Sequence, residues 1–529
     1  MFSTAVLPRP RLGLFVAVLL AAGVLVMPSA RSATAHSELQ WGACPDDLAG
    51  PFPSLVCTTM TVPLDYAHPH GRSIQLVVSK HLATDPARRR GVLFVDNGGP
   101  GGSAAMYAGA LSTPNVNGYT RLSADVLATY DVIGMDPRGV VHSTPLHCAA
   151  PDYFKPPQPD PDDPAMRDEL WSIWHGYAQQ CEQSAGWLLP YVGTVNVARD
   201  MDRLRAALGE SKISYFGVSY GSYLGAAYGQ LFPKRVDRMI VDALLDFTPE
   251  HLWYEVAHTQ AQGLQQRLDS THDWSFFNWI ARYDSVFHLG NQDQVRASFN
   301  RLLADWRAHP HGAVGASELL GLMYPVMFSE ALWIPVAQAL SAAVHGDDSQ
   351  LVAFATPGLD AASEQGVAIS NAVECVDDSW PHLRSRWEAD TAREAQTSQF
   401  AWWLMFSESV CQDWPAPQHD ALHITGRGMP RILMFNSVGD PATVYSGALN
   451  VHRRLSNSVL VTERNAGKHV VFANTEAAAN TEANAIGSRY LVAGSLPAHD
   501  VSVGPHPLPV PAAAAVSATT ALRQLTDER

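Results

Sequence analysis

Eight short runs of apolar and β-branched residues constrain this chain more than any other feature. They fall at 58–63, 74–80, 91–95, 130–135, 213–216, 238–241, 431–435 and 458–462. Several are apolar at consecutive rather than alternate positions. A strand with no polar face must be covered on both sides, as a parallel strand is when helices lie on either face of its sheet. Helix-period patterns fill the gaps, for instance 196–208 and 222–231. The alternation predicts an α/β protein with a mostly parallel, doubly wound sheet of about eight strands. With 529 residues, 47% of them hydrophobic, the chain can bury that sheet and more besides.

The series breaks between the sixth and seventh runs. From 248 to 425 the pattern is helical and carries ten tryptophans, with no strand series. That segment is expected to be an inserted helical cap, flanked by core segments at 36–247 and 426–500. Residues 1–35 have the order of a signal peptide. Arg9 and Arg11 precede an apolar run at 12–27, and Ala33-Thr34-Ala35 follows as a small-x-small cleavage site. The run is short of the ~20 residues that span a bilayer. Residues 501–529 are rich in Pro, Ala and Val and are expected to be a loose tail.

The run at 213–216 leads into "GVSYG", with Ser219 between Gly217 and Gly221 and a helical pattern after it. A bare Gly-x-Ser-x-Gly is a weak signal. Strand before and helix after make it a candidate nucleophile elbow, which exposes a serine above the carboxyl edge of the sheet. A serine needs a base, and the base an orienting acid, in the chain order Ser, Asp or Glu, His. "NSVGDPATVY" puts Asp440 in the loop after the seventh run. "ERNAGKHVVF" puts His469 in the loop after the eighth. "VDNGGPGGS" follows the third run and offers bare main-chain N–H groups for an oxyanion. Gly99 is the candidate donor, with Tyr220 as the second. No Gly-Lys-Ser/Thr follows this loop, which disfavours a phosphate site.

Taken in order, "DNGGPGGS", "DPRGVVHSTPLHC", "GVSYGSYLG", "GDPATV" and "YLVAGSLP" resemble the secreted tripeptidyl aminopeptidases of actinobacteria. These are α/β-hydrolase serine peptidases related to proline iminopeptidase. The resemblance runs from Trp41 to Pro497 and is weakest in the helical insertion. It implies an α/β-hydrolase fold, a Ser219-Asp440-His469 triad, removal of short peptides from free N-termini outside the cell, and no metal or organic cofactor. Two positions depart from the family pattern. Gly467-Lys468-His469 stands where the family has Gly-His-Gly, and Val141 where it has glycine.

An exopeptidase must hold a charged α-amine. "NAVECVDDSW" offers Glu374 and Asp377 for that, with Asp378 beside them, and Glu330 is a further cap carboxylate. A solvated acidic turn explains the same residues. Arg138 reads as half of a structural ion pair. The 21 histidines include no His-Glu-x-x-His, so no metal site is expected. Six cysteines in an exported chain suggest three disulfides. Of the 15 connectivities, nearest-neighbour pairing (Cys44–Cys57, Cys148–Cys181, Cys375–Cys411) is expected. Removing 1–35 takes three arginines and no acid, so the net charge of −15 becomes −18. Such a surface repels nucleic acid and anionic membranes. The expected partner is a peptide substrate, and the sequence fixes no oligomeric state. A secreted serine esterase or amidase on a small metabolite remains an alternative, as does a non-catalytic protein on the same fold.

Overall fold

Nine strands form one sheet in the order β1-β2-β4-β3-β5-β6-β7-β8-β9. They are β1 (Val56–Pro63), β2 (Ser73–His81), β3 (Gly91–Asp96), β4 (Tyr130–Met135), β5 (Ile213–Val218), β6 (Val236–Asp242), β7 (Ile432–Ser437), β8 (Ser458–Glu463) and β9 (Val501–Val503). β2 runs antiparallel to β1 and β4, and every pair from β4 to β9 is parallel. The computed structural model describes residues 39–115, 119–248, 252–474 and 479–511. The expected leader at 1–35 and the tail from 512 lie outside the described residues.

Burial follows the sequence pattern. Every residue of β3, β4, β5, β7 and β8 is buried, as consecutive apolar positions require. Edge strand β1 alternates instead, with Met60 and Val62 inward and Thr59 and Thr61 outward. Separate apolar clusters lie on the two faces of the sheet, one around Tyr215, Met239 and Met434, the other around Phe216, Ile240 and Phe435. Adjacent residues of one strand fall in opposite clusters, which is the period-2 alternation of a strand. β4 and β5 flank β3 on opposite sides, so the chain changes direction across the sheet between β3 and β5. A crevice opens at the carboxyl ends of strands at such a point.

Between β6 and β7 the chain leaves the sheet and winds into helices from Leu252 to Ser409. These helices have an apolar core of their own around Trp279, Trp306 and Trp333, all fully buried. Of the ten tryptophans between 248 and 425 only Trp403 is not buried.

Disulfides join Cys44 to Cys57, Cys148 to Cys181 and Cys375 to Cys411, and no described cysteine is free.

The C-terminal segment differs from the expected loose tail at its start. Val501–Val503 pairs with β8 as a ninth strand, closing an edge that would otherwise present unpaired main-chain groups. His506 is then buried between Glu463 at the end of β8 and Glu330 of the helical insertion. Burial pulls its imidazole down, but the hydrogen bonds and charges of Glu330 and Glu463 win and carry it up to about 9. The same Glu330 pairs with the fully buried Arg267. Trp279 Nε1 donates to Pro509 O a little further on. A Pro-rich composition hides this because each partner is far away in sequence.

Arg138, fully buried behind β4, donates to both Asp200 oxygens and to the main-chain carbonyls of Pro63, Leu64 and Tyr191. It ties the loop after β1 to the helix Thr194–Ala207. Breaking such a pair from one side strands a buried charge, at about 3–5 kcal/mol. Asp200→Ala is therefore expected to lower the unfolding free energy by about that amount, read as a fall in urea midpoint at unchanged slope. A loss below about 1 kcal/mol would contradict it.

Candidate active site

β5 ends in a turn that places Ser219 at φ 57° and ψ −124°, a conformation an L-residue adopts only when held there. Two neighbours hold it. The Ser219 N–H donates to Asp242 O at the end of β6 (3.0 Å), and the helix Tyr220–Leu231 starts at the next residue. Gly217 is required, because a Cβ there would collide with the Gly221 carbonyl and the Tyr215 ring.

The loop after β3 lies directly beside this turn, since Asp96 of β3 is in register with Gly217 of β5. At Gly98, with φ 86°, a Cβ would stand 2.5 Å from Val218 O and 2.9 Å from Tyr220 N. Asp96 Oδ1 accepts the Gly98 N–H (2.9 Å) and fixes the loop. Burial pushes the Asp96 carboxyl up to about 7 against that bond. Tyr220 lies in the first helical turn, where N–H groups have no intrahelical acceptor. Its side chain is occupied elsewhere, with its hydroxyl on Thr194 Oγ1 (2.7 Å) and its ring stacked near Trp253. Any oxyanion role for Tyr220 thus falls to its main chain.

Asp440 and His469 come from loops 29 residues apart and meet. His469 Nδ1 lies 3.0 Å from both Asp440 oxygens. Asp440 is buried, and its oxygens also accept the N–H groups of Ala442 and Thr443 and the Thr443 hydroxyl. Four donors leave the carboxylate no freedom to turn from the imidazole. Burial lowers the His469 pKa, but the Asp440 charge and hydrogen bond, with a smaller contribution from Asp242, outweigh it. The net shift is upward. Phe328 of the insertion meets the imidazole edge-on at 5.1 Å between ring centres. Lys468, in the departure from the family pattern, is buried and does not replace His469 at Asp440.

Ser219 and Gly99 line one cavity of about 330 Å³, together with Ala442 and Thr443 from the Asp440 loop. Its walls are aromatic and apolar, with Trp174, Trp253, Tyr324 and Trp403 among them, and no lining residue is cationic. Two carboxyls stand in it. Glu374, from the helix Ala361–Asp377, accepts from Ser370 Oγ (3.0 Å). Glu408, from the helix Ala401–Ser409, lies against it. Burial pushes the Glu374 carboxyl well up, and the Glu408 charge and a hydrogen bond between the two carboxyls push it further. Burial likewise raises Glu408. Two buried carboxyls this close disfavour a double negative charge, so the pair holds its first proton more tightly than an isolated carboxyl does.

The acidic stretch that contributes Glu374 divides. Asp377 does not line the cavity and is not placed to bind substrate. Both its oxygens accept from Thr194, capping the helix Thr194–Ala207, and burial pushes its carboxyl up to about 7. Asp378 caps the helix Leu252–Leu268 through the Trp253 N–H (2.7 Å). Glu330 is taken up by Arg267 and His506. Glu408 was not singled out from sequence. Its signal is a lone acid in an otherwise apolar helix, "AWWLMFSES", whose cavity face carries Trp403, Leu404, Ser407 and Glu408. Among the described residues no group of three His, Cys, Asp or Glu is arranged to hold a metal.

Comparison with known proteins agrees with this fold. Residues 92–308 match the family model for the alpha/beta hydrolase fold, and 398–503 match that for TAP-like proteins. A tripeptidyl aminopeptidase of Streptomyces coelicolor is 36% identical over 495 residues, covering 91% of this chain and 89% of the relative. The serine protease Hip1 of Mycobacterium tuberculosis is 27% identical, covering 77% and 80%. A carboxylesterase B of the same organism is 28% identical, covering 79% and 82%.

The upward shift of the two carboxyls has a measurable consequence. Carboxyls whose pKa is raised on folding stabilise the fold fully only below the unfolded value, near 4.3. That stability is lost as pH rises through the folded values. Glu374→Gln removes the repulsion while keeping a hydrogen bond to Glu408. The variant is expected to unfold at a higher temperature than the wild type at pH 8, with the gap closing as pH approaches 4.5. A lower Tm at pH 8 would contradict a carboxyl pair.

Proposed function

Because the chain belongs to the tripeptidyl aminopeptidase family of α/β-hydrolase serine peptidases, we propose that it is a secreted exopeptidase that releases short peptides, most simply tripeptides, from free N-termini. The observation that carries this reading is the Glu374–Glu408 pair in the same cavity as Ser219 and Gly99, with no cation among the lining residues. Two carboxyls in an apolar cavity are destabilising alone. An ammonium group between them relieves both, donating a charge-assisted hydrogen bond to each and offsetting their mutual repulsion. The α-amine of a peptide is such a group. Export is supported by the leader pattern at 1–35 and by three disulfides, which persist in oxidising compartments.

In this reading Ser219 Oγ attacks the peptide carbonyl as His469 Nε2 takes its proton. Asp440 holds the other ring nitrogen and the imidazolium that forms. The main-chain N–H groups of Gly99 and Tyr220 receive the oxyanion. His469 returns the proton to the leaving amine, and the peptide fragment remains esterified to Ser219. Water, activated by the same imidazole, then frees it. The reach from the carboxyl pair to Ser219 sets how many residues the fragment contains.

A second reading draws on the aromatic walls, which would equally hold an apolar acyl group, and on the relative named carboxylesterase B. That enzyme would be an esterase or amidase indifferent to an amine. Comparing kcat/KM for a tripeptidyl-anilide with and without an N-acetyl group separates the two. Acetylation removes the charge and leaves the carboxyls unpaired, about 2–4 kcal/mol, or roughly 30- to 1,000-fold in kcat/KM. A ratio near one would support the esterase. The ratio is expected to collapse in Glu374→Gln or Glu408→Gln and to survive in Asp377→Asn.

Ser219→Ala is expected to abolish both turnover and labelling by a fluorophosphonate. On a short acyl ester, where no amine is bound, kcat/KM should fall as pH drops through the His469 value. That limb is expected above the ordinary imidazole value of about 6.5, because the net shift is upward. A limb below it, or labelling that persists in Ser219→Ala, would count against the triad.

A further inference from the structure

Asp242 is the last residue of β6 and is fully buried. Its main-chain oxygen accepts the N–H of Ser219 (3.0 Å). Its side-chain Oδ2 accepts the N–H groups of Val471 (2.9 Å) and Phe472 (2.6 Å), two and three residues beyond His469. One residue therefore touches both the turn that carries the serine and the loop that carries the histidine. Nothing in the triad chemistry above requires it.

The loop it holds would not keep its shape unaided. Val470, next to His469, has φ 78°, and Ala473 has φ 57°. A β-branched residue in that region is strained. The strained stretch is bracketed by two acceptors, Asp242 at Val471 and Phe472, and Asn484 at the Ala473 N–H (2.8 Å). The second Asp242 oxygen, Oδ1, is buried without a hydrogen-bond partner among the described residues. The nearby Ala243 N–H is committed to Phe435 O. An unpartnered carboxylate oxygen is costly to bury. A cation close by would relieve it, and the His469 charge acts on Asp242.

We infer that Asp242 is a positioning residue for His469: it clamps the histidine loop through Oδ2 and sets a second negative charge, beside that of Asp440, against the imidazolium formed during catalysis. This rests on the triad reading, with His469 as the base.

The charged groups around the pair are few. Asp440 bonds to His469 from the loop after β7, and the Asp242 charge acts on it from the end of β6. Asp96 at the end of β3 and the half-buried Tyr107 belong to the same electrostatic neighbourhood, Tyr107 sensing both Asp96 and Asp242. Burial pushes the Asp242 carboxyl up to about 7, opposed by the Phe472 and Val471 hydrogen bonds, by the neighbouring Ala243 N–H and by His469.

Two substitutions separate the clamp from the charge. Asp242→Asn keeps an acceptor oxygen for Val471 and Phe472 and removes the charge. Asp242→Ala removes both. Both are assayed on a short acyl p-nitrophenyl ester, which does not depend on the amine site. Asp242→Ala is expected to lower kcat about 10- to 100-fold with KM nearly unchanged, as misplacement of a catalytic group does. Asp242→Asn is expected to recover most of that loss, and to move the acid limb of kcat/KM to lower pH, because the imidazolium loses a neighbouring anion. A purely structural anchor would leave that limb in place. An unmoved limb in Asp242→Asn, or kcat within twofold of wild type in Asp242→Ala, overturns the inference. If Asp242→Ala does not fold, the limb of Asp242→Asn decides alone. His469→Ala is run alongside. Full activity there would overturn the triad reading itself, and this inference with it, and is distinguishable because the Asp242 variants would not produce it.

Discussion

The catalytic edge depends on how closely two backbones approach between β3 and β5. Asp96 and Gly217 are paired in register, so the loops leaving the two strands start side by side. The Gly98 loop then passes within van der Waals distance of Val218, Ser219 and Tyr220, where no side chain fits. This crowding accompanies the φ of 57° at Ser219 and brings the main chains of both loops together. A larger residue at Gly98 or Gly217 would part the strands' ends and lose the turn. The glycine content of "DNGGPGGS" and "GVSYG" is thus a statement about distance more than about flexibility.

A second theme is the use of buried carboxyls as clamps. Asp96 holds Gly98, Asp242 holds Val471 and Phe472, Asp377 holds Thr194, and Asp378 holds Trp253. Each accepts main-chain N–H groups at a loop or helix start, where a short acidic side chain satisfies donors that secondary structure leaves open. Burial raises Asp96, Asp242 and Asp377 to about 7. Near neutrality these clamps sit close to losing their charge. The fold tolerates this because a protonated carboxyl still offers a carbonyl oxygen to an N–H.

Short-range patterns in the sequence were legible because their causes are local. A strand covered on both faces has no polar position, and β3, β4 and β5 show that directly. A serine elbow needs its glycines within two residues. Asp440 and His469 could be paired because the order of strand ends in such a sheet leaves few loops to choose from. Features that depend on distant partners were not legible. Asp377 and Glu374 stand three apart in one acidic turn, yet one meets Thr194 and the other Glu408. No local rule separates them. The tail at 501–511 reads as Pro-rich and loose, because the open edge of β8 and the buried Glu463 and Glu330 that receive it lie dozens to nearly two hundred residues earlier.

The helical insertion does more than roof the cavity. Trp274 packs against Gly439, beside Asp440, and Arg267 against Gly467, two residues before His469. Ile369, on the same helix as Glu374, packs against Gly101 of the loop after β3. His506 binds Glu330 of the insertion to Glu463 of the sheet in one buried network with Arg267. The helix that carries Glu374 is therefore fastened to the loop that carries Gly99, and other parts of the insertion to the loops that carry Asp440 and His469. A pair hung from a loosely hinged lid would sit at a variable distance from Ser219 and accept N-terminal fragments of several lengths. Fastened in this way, its distance to the serine is fixed by packing, since close-packed interiors shift little without rearranging. For an exopeptidase of the proposed kind, fragment length then becomes a property of the cap–core interface, and residues such as Ile369 and Trp274 bear on it without touching the substrate.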